Sequence, residues 1–201
     1  MNTVLWAKII MIKLRNPFKH LIKFKLMNKK IILVIISCIS AGILTYFNIP
    51  LQWGNPNFGT TPVSIISLFS PLGGFITALV KGISSSIYTG KTYVEMAAGI
   101  GDALMALVTY NLVKRIGKER AIIVGQFSRY IFTSTLIAIS VSIFRDNNIS
   151  EIPIIWVDMF PAITISIIVN TVAAIIFLKM FGNKINNYLS DANEKTKPQK
   201  I

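Results

Sequence analysis

Cysteine and histidine are almost absent from this 201-residue chain: Cys38 and His20 stand alone. A disulfide framework and a Cys/His zinc site are thereby excluded. Acidic residues are scarce too, eight in all, and charged residues of both signs make up only 14%. So little charge leaves no soluble domain of useful size. Neither a Walker-type phosphate loop ending in Gly-Lys-Ser/Thr nor a Gly-Xaa-Ser-Xaa-Gly elbow occurs. No enzyme activity, resident metal or cofactor is expected, and any ATP-driven work needs another chain to bind the nucleotide.

What is present is apolar: 53% of residues are hydrophobic and the mean hydropathy is +0.60. Residues 31–182 are nearly continuously apolar but cut into spans, and nearly all the cations lie in three places. Lys8, Lys13, Arg15, Lys19, Lys23, Lys25, Lys29 and Lys30 precede Ile31. Lys114, Arg115, Lys118 and Arg120 form the second group, and Lys179, Lys184, Lys195, Lys197 and Lys200 the third. The net charge of +13 comes from cations flanking apolar spans, which is the positive-inside pattern of a multi-pass membrane protein and not a nucleic-acid footprint.

Three regions follow: a basic cytoplasmic leader over 1–30, a membrane domain over 31–182 and a polar cytoplasmic tail over 183–201. The leader reads as a basic amphipathic helix on the anionic leaflet. A start of translation at Met27 also fits, because Met27, Asn28, Lys29 and Lys30 lead directly into an apolar span.

Ile31–Phe47, Tyr93–Val113, Ala121–Phe144 and Trp156–Met180 read as spans, each near the length that crosses about 30 Å of hydrocarbon. Asn48–Thr61, with Pro50, Gly54, Pro56 and Gly59 and no charge, reads as an ordered loop. Pro62–Tyr88 is broken at Ser70–Gly74. A single crossing there would place the Lys114–Arg120 cluster outside, against the positive-inside rule. The stretch therefore crosses twice with short helices or dips in and returns. The expected architecture is an all-α bundle of six transmembrane helices, helices two and three short, with both termini cytoplasmic. Broken helices inside a membrane need protein or a polar cavity around them, so the break marks either a helix kink or a pocket.

Ionisable residues within spans are costly and face a partner or water. Glu95 and Asp158 lie near the outer ends of their spans and lend an outward pocket a negative lining. Asp102 is two turns below Glu95 on the same face, about 10 Å deeper. Arg129 enters the next span from the opposite side to about the same depth, so Asp102 and Arg129 are expected to form a structural ion pair. Glu95 has no basic neighbour at its depth except Lys91 and is the stronger ligand-binding candidate. Ala97, Ala98, Gly99, Gly101 and Ala103 leave room there for a close helix or a ligand. Ser37 with Ala41 and Cys38 with Gly42 form two small-Xaa3-small pairs in the first span, and Asn170 needs a hydrogen-bond partner inside the bundle.

This layout resembles the membrane-embedded, substrate-binding S components of energy-coupling factor (ECF) vitamin transporters. The resemblance spans residues 31–182. It rests on the spaced small residues of the first span, the Trp53–Gly54 loop, the break at Ser70–Gly74, Glu95 opening the fourth span, and Val169–Asn170 in the last. It implies a six-helix protein that binds one vitamin-like molecule at its outer side beneath the loop after helix one. It also implies docking through helix one onto a transmembrane coupling protein driven by two ATPases. Ser37 and Ala41 match an alanine-Xaa3-alanine docking motif with serine in the first place. Glu95 looks like the acidic residue that opens helix four in thiamine-type members and contacts substrate.

The reading is therefore a substrate-binding subunit in the cell membrane for uptake of a vitamin or vitamin-precursor-like molecule; the alternative is a membrane sensor or scaffold. The loop with Trp53, Asn55 and Asn57 is expected to close over ligand. Trp53, Tyr88, Tyr93 and Trp156 offer stacking surfaces, and Glu95 with Asp158 favours a partly aromatic, cationic ligand. Lys81 argues the other way.

Overall fold

A computed structural model describes residues 27–49, 56–146 and 148–194. Two units are distinguished: residues 33–180, and a second that, among the described residues, pairs 27–32 with 181–194. In the second, the Lys29 ammonium donates to the Tyr188 carbonyl and stands 4.7 Å from the centre of its ring. The first unit carries everything that follows.

The chain is helical throughout the described residues apart from short joints. The helices α1 (Met27–Thr45), α4 (Thr92–Ile116) and α8 (Phe160–Glu194), and the segment Lys118–Arg145, supply four stretches long and apolar enough to cross a membrane. The last of these contains α5 (Lys118–Ser128) and α6 (Phe132–Val141); α7 (Ile152–Asp158) is a short helix before α8.

Pro62–Tyr88 resolves into α2 (Thr60–Ser67) and α3 (Pro71–Thr89). Only α2 is short, and all eight of its residues are buried. A helix of that length spans about 12 Å and can sit at membrane depth only when wrapped by protein, as it is here. By contrast α3 has 19 residues, full crossing length, although Lys81, three consecutive serines and its glycines dilute its apolarity. The break falls before Pro71: the Ser70 side chain accepts from the Gly73 amide at 3.0 Å and caps the new helix, with Pro71 in its first turn. Gly73 and Gly74 lie inside α3 and do not break it. A β-carbon at Gly73 would come within 2.7 Å of Val34 Cγ2, and one at Gly74 within 2.9 Å of Ala106 Cβ, so these glycines are contact points for α1 and α4.

The expected span 121–144 is interrupted. Backbone bonding tightens to three-residue spacing at Arg129, Tyr130 and Ile131, after which the amides of Thr133 and Ser134 both donate to the Arg129 carbonyl. The last expected span begins at Phe160 and not at Trp156, since Trp156 and Asp158 belong to α7. At the other end α8 continues as helix to Glu194, through the first part of the stretch read as a tail.

Asn170, fully buried in α8, ties these parts together. Its amide nitrogen donates to the Asn57 and Ser166 carbonyls, each at 2.8 Å, and its oxygen accepts from Thr61 Oγ1 at 2.9 Å. The bonds to Asn57 and Thr61 join separate parts of the chain, and bonds of this kind between membrane segments are worth about 0.6 kcal/mol each on average, so Asn170→Leu is expected to cost about 1 kcal/mol in detergent thermal unfolding. An unchanged midpoint would remove Asn170 from the framework.

Candidate functional site

The centre of the unit is polar. Asp102 on α4 is wholly buried, and both of its oxygens are doubly engaged. Oδ1 accepts from Arg129 Nε at 2.8 Å and Thr133 Oγ1 at 3.2 Å; Oδ2 accepts from Lys81 Nζ at 3.0 Å and Thr60 Oγ1 at 3.1 Å. Four helical segments thus converge on one carboxylate. Both cations are 3% exposed. Arg129 Nη1 also donates to Ser166 Oγ at 2.9 Å and to Gln126 Oε1 at 3.3 Å.

This geometry depends on close backbones. A β-carbon on Gly82 would lie 3.0 Å from the Glu95 carbonyl, and one on Gly99 would lie 3.1 Å from Gly82 Cα. Glycine at both positions lets α3 and α4 cross in contact, which brings Lys81 to Asp102. The small residues around Glu95 are thus largely a packing face, with Ala98 left to line the space beside it.

That space is a cavity of about 80 Å³. Its polar lining comprises Lys81, Glu95, Arg129, Thr133, Ser166 and Asn57; Val94, Ala98, Ile137, Met159 and Ile163 supply apolar wall. The lining is mixed, with polar groups converging on one side and apolar wall on the other, an arrangement that can orient a small bound group. Glu95 Oε2 accepts a 2.6 Å hydrogen bond from Ser85 Oγ, which orients the carboxylate. Among the described residues, no group of three or more Cys, His, Asp or Glu side chains could hold a metal ion.

Of the residues expected at a ligand site, Glu95 and Asn57 line the cavity. Trp53 and Asn55 lie outside the described residues. Tyr88 is 48% exposed and meets Tyr46 edge-on, 5.0 Å between ring centres, away from the cavity. Tyr93 packs near Phe144, and Trp156 near Phe160, both against the cluster around Ile137 and Val141. Asp158 is exposed on α7, so the lining has no second carboxylate there. The expected negative rim is replaced by a wall in which two cations face one carboxylate. Lys81 and Arg129 were each visible as intramembrane charges, but that both border the cavity depends on the α3–α4 crossing.

The small residues of α1 also have neighbours within the unit. Ala41 is fully buried, and its neighbour Gly42 faces Ser84 of α3; a β-carbon there would sit 3.2 Å from Ser84 Oγ. Cys38 contacts Thr77 of α3. This small-residue stripe, with Ser37 half-buried at its side, packs inward, and the outer face of α1 is formed by Ile35, Ile36, Ile39 and Ile43.

The sequence matches no protein-family model, and no curated protein matches it. A solved structure does: the S component of a bacterial ECF transporter superposes with a TM-score of 0.60 at 24% identity, over 79% of this chain and 98% of that one. The chain has the fold of that S component. Its cavity and carboxylate cluster lie within the folded unit just described.

Proposed function

We propose that this protein is the membrane-embedded, substrate-binding subunit of a transporter, taking up a vitamin or vitamin-precursor-like molecule with energy from separate coupling and ATPase subunits. The observation that carries the reading is the cavity bordered by Glu95, Lys81 and Arg129, in a chain with an S-component fold. Intramembrane ionisable groups around a hollow are expensive unless they serve a ligand or each other. In this reading the chain crosses the cell membrane six times, with its termini in the cytoplasm. The cavity borders the first turns of α4, at the end opposite Lys114 and Arg115. Positive residues favour the cytoplasmic side, so the cavity faces outward.

Native mass spectrometry of protein purified in mild detergent tests this. One small molecule is expected per chain, and Glu95→Ala is expected to weaken its retention by tenfold or more, about 1.4 kcal/mol. Spectra without any bound molecule, and no uptake phenotype when the chain is deleted, would sink the reading.

A further inference from the structure

The cavity is polarised, and its charges name the chemistry of what fills it. Lys81 and Arg129 both border the hollow, while Asp102, which they share, stands behind them with all its acceptor positions taken. One carboxylate neutralises one of two buried cations. Among the described residues, their salt bridges go to Asp102 alone. Lys81 makes one hydrogen bond through Nζ, leaving two of its three donors, and Arg129 Nη2 has no partner there. These are donors on side chains 97% buried that line an open space. Glu95 supplies the compensating negative charge, but two helical turns away along α4, held by Ser85. The site is neutral as a whole and dipolar within.

We propose that the cargo is an organic acid whose carboxylate seats between the Lys81 ammonium and the Arg129 guanidinium. The group facing Glu95, about 10 Å away along the helix axis, is an N–H donor or a cation. This rests on reading the cavity as the cargo site. A carboxylate accepts from both cations at once, with the fork geometry that guanidinium favours, and it offsets the local excess of positive charge at that end of the dipolar cavity. A cationic cargo with no acid would instead place a third positive charge beside the first two.

The alternative is that Lys81, Asp102 and Arg129 merely hold the helices together. The two readings differ in what Lys81→Met does to the empty protein. If Lys81 is structural, removing it breaks a buried pair and lowers Tm. If it awaits an acid, the variant leaves a balanced Arg129–Asp102 pair, and a buried cation is replaced by an apolar side chain of similar length. The empty variant is then expected to melt within about 2 °C of the wild-type protein or above it.

The probe for the seat is acetate, small enough for the hollow. Sodium acetate, compared with sodium chloride at equal ionic strength and with acetamide, is expected to raise the Tm of ligand-stripped protein saturably by about 3 °C or more. Acetamide should do nothing, and Lys81→Met should lower the acetate affinity at least tenfold. Equal stabilisation by chloride, stabilisation by acetamide, no response to acetate, or a large Tm loss in Lys81→Met would each overturn the proposal. Failure of transport shows itself separately: an acetate response with no cargo in native spectra defeats the uptake reading alone. A bound cargo that lacks an acidic group defeats this inference alone.

Discussion

Asp102→Asn is expected to destabilise the protein by about 3–5 kcal/mol, the usual cost of removing one partner from a buried ion pair. Shape is conserved in this substitution, so the loss isolates charge and hydrogen-bond polarity. The wild-type carboxylate receives four donors, two on each oxygen. An asparagine keeps one oxygen and turns an amide N–H₂ toward the other pair, setting donor against donor. Either Thr60 and Lys81 or Thr133 and Arg129 then lose their acceptor, with one buried cation facing N–H groups. Thermal unfolding in detergent measures the effect, with a Tm lowered by about 10 °C at 2–4 °C per kcal/mol for a chain of this size. The double variant Asp102→Asn/Lys81→Met should recover part of the loss, because it removes one of the two stranded charges. A single-variant Tm within about 3 °C of wild type would show that the carboxylate does not hold these helices.

How much of this centre was legible from residues alone follows from which geometry each step needs. Helical rise places Asp102 and Arg129 at one depth on adjacent segments, and the structure has them 2.8 Å apart. Lys81 was not reachable that way. Its side chain meets Asp102 only because Gly82 and Gly99 allow α3 and α4 to touch, and the rotation of one helix about another leaves no mark in spacing. The same ambiguity governs Gly73 and Gly74: glycine beside proline signals a break, yet here it marks close approach within a continuous helix. Ala41 shows it again, since a small-residue stripe reads identically whether it faces a neighbour inside the bundle or a partner outside it.

Tyr88, Tyr93 and Trp156 are absent from the cavity lining for a different reason. Tyr88, Tyr93 and Trp156 sit near span ends, where rings serve as interface anchors and packing elements as readily as ligand platforms. Their positions here, against Tyr46, Phe144 and Phe160, are of the anchoring and packing kind. Charge proved more informative than aromaticity because a buried charge must have a partner, whereas a ring needs none. The segment near Arg129 bears this out. An arginine inside an apolar run signals a buried partner, here Asp102, and the backbone tightens to three-residue spacing at residues 129–131.

Gly101→Ala tests whether α4 and α6 must touch for the centre to form. A single methyl group at this position would lie 2.5 Å from Thr133 Cα and 2.9 Å from its backbone nitrogen. No rotamer change relieves a clash with backbone, so α6 must move outward. Thr133 would carry its hydroxyl away from Asp102 Oδ1, and Arg129, one turn earlier, would be drawn along. Overpacking of this kind costs about 1–3 kcal/mol, and the loosened charge cluster places the expected loss near about 3 kcal/mol, with cargo retention reduced at least tenfold. Gly125→Ala is the control. Its β-carbon would meet Thr109 Oγ1 at 1.9 Å and Thr109 Cβ at 3.1 Å; the hydroxyl can rotate away at the expense of its 3.0 Å bond to the Met105 carbonyl, and the Cβ contact asks only a few tenths of an ångström of its neighbour, whereas Gly101 meets backbone. Its expected cost is about 1 kcal/mol, one lost hydrogen bond, with cargo retained. Thermal unfolding and native mass spectrometry on the two variants separate the cases. If Gly101→Ala proves no more damaging than Gly125→Ala, the α4–α6 contact is not what positions Arg129, and the cluster must be held from α3 and α8 instead.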